Sequence, residues 1–183
     1  MTAIKVGSLS PEFAILGMLS LGVGHGYEIY QKLSSDLGQV WHLRQSQIYS
    51  ILNRLEGRGF IQGTLLEQRK LPAKRLFKLT DSGQDRFKEW LYSPSRSSVR
   101  AIRVEFTTRL YFALAMDPGQ AEKLIDQQIE ETKAGLKRLK VRRDSLPEDQ
   151  MFNYLGIDLR IRQLNSILDW LETCHEIRKH YSN

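Results

Sequence analysis

One cysteine in 183 residues, Cys174, leaves no internal disulfide to form, so nothing asks for an oxidising compartment and a cytoplasmic location is expected. Long apolar runs are missing too. The longest, Phe13 to Val23, falls well short of the roughly 20 residues a spanning helix needs, and no membrane association is expected. Read as a secretory signal the run also fails, because only Lys5 supplies a basic start and no small-x-small cleavage site follows before His25. It reads as a short core helix. Catalytic and metal-binding sets are lacking as well. Cys174, His175 and His180 are adjacent or five apart and do not share a helix face, which argues against a metal site. No acid/base pair and no nucleophile with a base stand out, so neither an enzyme nor a cofactor is expected. Gly22-x-Gly24-x-Gly26 has no strand before it and no Lys-Ser/Thr behind it, and reads as a turn, not a phosphate cradle.

Acid is scarce in one stretch. From Arg44 to Thr80 only Glu56 and Glu67 oppose Arg44, Arg54, Arg58, Arg69, Lys70, Lys74, Arg75 and Lys78. Residues 1–100 hold 14 basic and 8 acidic side chains, which accounts for the whole formal charge of +6, while residues 101–183 hold 13 of each. Such clustering is the electrostatic footprint of polyanion binding, although a solvated basic face without a partner has the same composition. The composition breaks at the Ser/Pro-rich Tyr92-Ser93-Pro94-Ser95-Arg96-Ser97-Ser98. The chain is therefore expected to divide into a first domain over 1–93, a linker over 94–101 and a second domain over 102–183.

In the first domain, Ser10-Pro11-Glu12 opens a helix with a capping hydroxyl, a proline with preset φ and an acid near the positive end. After the glycine turn, Tyr27, Tyr30, Leu33 and Leu37 recur at helical spacing up to Gly38. A third helix is expected from about Ser46, which can cap it. Ile48, Ile51, Leu52 and Leu55 form its apolar face, Gln47, Ser50, Asn53 and Arg54 the opposite one, Tyr49 lies at the margin, and Gly57 and Gly59 end it. Phe60 to Leu66 and Lys74 to Leu79 then alternate as a hairpin with a basic tip, and Thr80-Asp81-Ser82-Gly83 opens a fourth helix carrying Phe87, Trp90 and Leu91.

Three helices followed by a basic hairpin is the order of a winged helix-turn-helix, in which the third helix enters the major groove and the hairpin reaches across the backbone. Amide and guanidinium groups such as Gln47, Asn53 and Arg54 can make paired hydrogen bonds to base edges. Tyr49 either packs into the core or lies against the DNA backbone. Ser46 can take a phosphate oxygen, and Arg69, Lys70, Lys74 and Arg75 on the hairpin can neutralise phosphates.

Three blocks carry a family resemblance: Gly24-His25-Gly26-Tyr27-Glu28-Ile29, the run from Gln45 to Ile61, and Lys74-Arg75-Leu76-Phe77-Lys78-Leu79-Thr80-Asp81-Ser82-Gly83. With them the chain resembles the PadR family of transcriptional regulators. Its length and second half, including Arg103-Val104-Glu105-Phe106-Thr107-Thr108-Arg109-Leu110, are similar to the virulence-activator (AphA-like) subgroup with a C-terminal helical dimerisation domain. The resemblance implies a homodimeric DNA-binding regulator, usually a repressor. It matches Ser46, Gln47, Tyr49, Ser50 and Arg54 to the recognition helix, and Lys74 and Arg75 to the start of the second wing strand. The wing tip departs from the family: Gln68-Arg69-Lys70-Leu71-Pro72 has no glycine, where members commonly place one.

In the second domain Asp117-Pro118 opens a long helix, with Ile125, Ile129, Thr132, Leu136, Leu139, Arg143 and Leu146 at alternating spacings of four and three. Pro147-Glu148-Asp149 breaks it. A last helix carries two apolar seams, one of Tyr154, Ile157, Ile161, Leu164, Leu168, Leu171 and His175, the other of Ile167, Trp170, Cys174, Ile177 and Tyr181. Two seams ask for two neighbours. The expected arrangement is an antiparallel, coiled-coil-like helix pair that dimerises through Ile157, Ile161, Leu164, Leu168 and Leu171. The alternative is a self-contained three-helix bundle with both seams buried in one chain.

The fold class expected is mainly α, a winged helix-turn-helix domain joined to a long-helix dimerisation domain. The expected function is sequence-specific transcriptional regulation, by a homodimer on an inverted-repeat operator in double-stranded DNA. Trp90 and Trp170 are read as core residues first; the other reading is a pocket for a small aromatic or hydrophobic effector. A winged-helix protein–protein adapter that does not read DNA is the alternative, and the basic charge on Arg44–Thr80 argues against it.

Overall fold

A computed structural model of the chain describes residues 10–66, 74–93 and 95–181, with Lys74 and residues 177–181 described by their backbone alone. The chain divides into two compact units, Met1–Ser93 and Pro94–Asn183.

The first unit is built around α1 (Glu12–Ser20). Phe13, Ala14, Ile15, Leu16, Met18 and Leu19 are all buried. A helix apolar on every side has to be enclosed, and α1 packs against α2 (Gly26–Leu37), α3 (Gln45–Gly57), α4 (Asp81–Tyr92) and the strand β2 (Lys74–Leu79). Phe13 stacks on Trp90 of α4 with ring centroids 4.8 Å apart, so Trp90 is core. The N-cap of α1 is Pro11, and the Ser10 hydroxyl just before it accepts the Glu12 amide at 3.3 Å. Two glycines in the left-handed region end helices in the same way. At Gly22 (φ 85°) the Val23 amide donates to the Met18 carbonyl at 3.0 Å. At Gly59 (φ 74°) the Phe60 amide donates to the Leu55 carbonyl at 3.0 Å and the Gly59 amide to Glu56 at 2.8 Å. These pairings satisfy carbonyls that a helix end leaves open, and the second turns the chain from α3 into β1 (Ile61–Leu66).

β1 and β2 pair antiparallel from Ile61↔Leu79 to Leu66↔Lys74, which gives the expected hairpin. His25 forms an isolated bridge with Leu76, and the Phe77 amide donates to the Gly24 carbonyl at 2.8 Å. The glycine turn therefore also ties α2 to the hairpin; a bridge one residue long has no periodicity for a sequence to display. α2 also differs in its face. Ile29, Leu33 and Leu37 are buried, whereas Tyr27 is 44% exposed. Ile29, with Leu33 and Leu37 of the expected seam, takes the buried place that the spacing gives to Tyr27.

In the second unit α5 (Val99–Ala101), a π-helical segment (Ile102–Phe106) and α6 (Thr107–Met116) form one continuous helical run. Asp117 caps α7 (Pro118–Asp144), accepting from the Gly119 and Gln120 amides at 3.0 and 3.2 Å. A short connection leads to α8 (Met151–Tyr181), and the two long helices run antiparallel. Their direction is fixed by contacts at both ends: Arg143 meets Asp158 at 3.5 Å, and His175 meets Asp126 at 3.0 Å. The Ser/Pro-rich stretch expected as a linker is packed into this unit, with Ser95 buried and Ser97 bonded to Arg138 at 3.2 Å.

The seam assigned to dimerisation is filled within one chain. Ile157, Ile161, Leu164 and Leu171 are all buried and Leu168 is half-buried. This corrects the expectation for Ile157, Ile161, Leu164 and Leu171 and favours the self-contained bundle for them, since an antiparallel helix pair closes its own apolar stripe first. Trp170 of the second seam meets the Phe106 ring edge-on with centroids 6.1 Å apart. Trp170 is nevertheless 38% exposed, so unlike Trp90 it is not a core residue, and near its start α8 also exposes Met151, Phe152, Tyr154, Leu155 and Leu159, with Phe152 at 82%.

Burial pushes the Cys174 thiol up to about 11. Since the thiolate is the nucleophile, Cys174 is expected to react with a disulfide reagent at pH 8 far more slowly than a free thiol. The rate should rise only as the pH approaches the folded value or as the unit unfolds. Free-thiol kinetics at pH 8 in the folded protein would contradict the burial.

Candidate nucleic-acid interface

α3 has the two faces its sequence demands. Ile48, Ile51, Leu52 and Leu55 are buried, and Ser46, Gln47, Tyr49, Ser50, Asn53 and Arg54 are all exposed. Four of the six line one groove: Ser46, Gln47, Ser50 and Arg54 meet Pro11, Leu43 and Ile51 around about 460 Å³. Successive turns of one helix stripe bring them together. Tyr49 and Asn53 are not among the lining residues. The Tyr49 ring instead lies over Gly26 of α2, where an added Cβ would approach its Cε1 to 2.7 Å. Tyr49 thus bridges α2 and α3 with its ring and keeps one edge exposed.

Several groups read as DNA contacts also have partners within the protein. α3 begins one residue before Ser46, so Arg44 is its N-cap and Ser46 lies inside the first turn. The Gln47 Oε1 accepts the Arg44 amide at 2.8 Å, reaching back to close an open amide. That assignment leaves its NH2 group available as a donor. Arg54 Nε donates to Glu12 Oε1 at 2.8 Å while its side chain stays 50% exposed. On the hairpin, Arg75 Nη2 donates to Glu56 Oε2 at 2.6 Å and its guanidinium lies 5.1 Å from the Phe77 ring centroid. Glu56 Oε1 accepts the Gly63 amide at 2.9 Å, so this one carboxylate fastens the end of α3 to both strands. An added Cβ at Gly63 would lie 2.7 Å from Arg75 Nε and 2.8 Å from Glu56 Oε1, which is why the strand has no side chain there. Arg69 and Lys70 fall outside the described residues, as does the Lys74 side chain.

Sequence reasoning missed Glu12 and Glu56 as parts of this surface. Glu12 was legible only as an acid at a helix start, and its bond to Arg54 spans 42 positions, beyond any local spacing rule. Among the described residues no group of three or more His, Cys, Asp or Glu could hold a metal ion. Nor is any described helix long and apolar enough to cross a membrane.

The exposed polar face of α3, backed by its own apolar seam and followed by a basic two-stranded hairpin, is the layout of a winged helix-turn-helix reader. Residues 15–89 match the transcriptional regulator PadR-like family, and residues 102–178 match the virulence activator alpha C-term family. The negative transcriptional regulator PadR of Bacillus subtilis is 31% identical over 177 residues, spanning 88% of this chain and 93% of that protein. The crystal structure of Bacillus subtilis PadR with operator DNA is 28% identical, with 91% of this chain and 98% of that one covered and a TM-score of 0.44. The same regulator with p-coumaric acid covers 92% and 98% at 28% identity, with a TM-score of 0.40. With both halves matched and that relative aligned over nearly its whole length, this chain belongs to the PadR-like family of transcriptional regulators.

Proposed function

We propose that this protein is a repressor that binds, as a homodimer, an inverted-repeat operator, α3 of each subunit entering the major groove and the hairpin following the phosphate backbone. The observation that carries the reading is the groove formed by Ser46, Gln47, Ser50 and Arg54 on the exposed face of α3. Its side chains are the hydroxyl, amide and guanidinium groups that base edges and phosphates accept. Repression is supported by the negative regulation named for the Bacillus subtilis relative.

The second copy is assigned to the start of α8, where Phe152, Leu155 and Leu159 lie exposed on neighbouring turns. Contiguous apolar exposure of this kind marks an interaction surface. The Phe152→Asp and Leu159→Asp variants should sediment as monomers; a dimer that survives both would place the interface elsewhere. An effector of small aromatic character is the accompanying expectation, supported by the relative solved with p-coumaric acid.

Selection of bound duplexes from a random pool, at low and moderate salt, tests the reading. An inverted repeat with half-site centres about 34 Å apart, or a multiple of that, is expected. Binding without an enriched motif that disappears with salt would leave only the phosphate term and overturn it. On the recovered operator, Arg54→Ala should cost about 1–3 kcal/mol and relax one base position. Arg75→Ala should weaken all sequences alike and lower the salt slope by about 1. Base-dependent losses at Arg75 would contradict this division.

A further inference from the structure

Glu12, the first residue of α1, is a carboxylate with its side chain only 7% exposed. A buried charge persists where it is paired, and three arginines surround this one. Arg58 Nη1 approaches Oε1 at 3.5 Å and Arg86 Nη2 approaches Oε2 at 4.0 Å. Arg86 lies 4.7 Å from the Phe60 ring centroid and 5.2 Å from that of Phe13, and Arg58 lies 5.5 Å from the Phe60 centroid. These two cations already offset the carboxylate. The shortest contact nevertheless goes to the third, Arg54 Nε at 2.8 Å, whose side chain is half exposed and lines the α3 groove. Among the described residues, the Arg54 terminal nitrogens Nη1 and Nη2 make no hydrogen bond.

We propose that Glu12 is a positioning residue for base reading: it grips Arg54 by Nε and presents Nη1 and Nη2 as a fixed fork to a guanine in the major groove. The inference rests on the reading of α3 as the recognition helix. A guanine takes an arginine through O6 and N7, which needs two parallel N–H groups. Held at Nε, the planar guanidinium keeps that pair in one orientation and loses less rotamer freedom on binding. A carboxylate this near the groove also opposes phosphate oxygens. Glu12 therefore strengthens binding to the right base and weakens binding to DNA in general, and both effects raise specificity.

The test is a base-by-base competition with full-length protein on the selected operator and on unrelated duplex, alongside thermal melting to correct for the folded fraction. Glu12→Ala is expected to cut the preference for guanine at the Arg54 position by about tenfold, within the range of one bidentate arginine–guanine pair. Its affinity for unrelated duplex should stay level or rise. Glu12→Gln, whose amide oxygen can still accept from Nε, should keep most of the preference. Arg54→Met, which keeps the stem without any donor for guanine O6 and N7, should lose it, and adding Glu12→Gln to Arg54→Met should change the guanine preference no further. A purely structural Glu12 would lower the melting temperature of both Glu12 variants and leave the base preference per folded molecule unchanged, which overturns the inference. So would a guanine preference that survives in Arg54→Met, which stands as the check if Glu12→Ala fails to fold. If the unmodified protein enriches a motif but no guanine depends on Arg54, the positioning role alone fails. If it enriches no motif at all, the DNA reading fails and the inference falls with it.

Discussion

Glu105→Leu is expected to destabilise the second unit by about 3–5 kcal/mol, the cost of leaving one member of a buried ion pair without its partner. Arg109 has no exposed side-chain surface and Glu105 has 4%. Arg109 Nη2 donates to Glu105 Oε1, one turn away on the same helical run, and Nη1 donates to Ser95 Oγ at 2.9 Å. Burial depresses the Arg109 pKa, and Glu105, by its charge and its hydrogen bond, is what opposes that. Removing Glu105 leaves the cation in an interior that disfavours it. The double variant Glu105→Leu/Arg109→Met should recover most of the loss, because an apolar pair of similar volume is often as stable as a buried ion pair. Urea denaturation followed by far-UV circular dichroism measures both. A Glu105→Leu cost below about 1 kcal/mol would mean that water reaches Arg109.

Gly83→Ala should destabilise the first unit by about 3 kcal/mol or more, against the usual small gain when a helical glycine becomes alanine. Gly83 lies in the first turn of α4, where its amide donates to the capping Thr80 Oγ1 at 3.2 Å. A Cβ there would fall well inside the radius of the Phe60 carbonyl oxygen and 2.9 Å from the Phe60 carbonyl carbon. Phe60 is the residue that leaves α3 for β1, and its carbonyl accepts the Thr80 amide at 3.1 Å. Backbone has nowhere to go there, so relief requires moving α4 away from the hairpin. Gly57→Ala is the control: nothing lies within 4 Å of a Cβ at that position, and no loss is expected. Equal melting curves for the two variants would show that α4 can shift freely. The same close approach fixes α4 against the segment that leaves α3 for the hairpin.

Local pattern alone delivered most of the architecture. Ile48, Ile51, Leu52 and Leu55 recur at helix spacing and are buried, which turns Ser46, Gln47, Ser50 and Arg54 outward without further information. Gly22 and Gly59 end helices because only a residue without a side chain enters the left-handed region freely. Capping at Thr80 and at Asp117 is likewise written in three or four consecutive residues. Each of these rests on interactions within about one turn, and such interactions are encoded by adjacent letters.

What the tertiary structure alone decided lies in pairings between distant positions. Glu12 with Arg54, Glu56 with Arg75 and Ser95 with Arg109 each join segments with no shared period. The seams of α8 show the same division. Their spacing establishes that two apolar stripes exist, but a stripe does not say which surface covers it. Packing assigned Ile157, Ile161, Leu164 and Leu171 to the interior of one chain, left Trp170 of the second seam exposed, and exposed Phe152, Leu155 and Leu159, which belong to neither seam. Hydrophobic burial has no direction and no address; charge pairing and close packing supply both, and they take effect only once the helices have met.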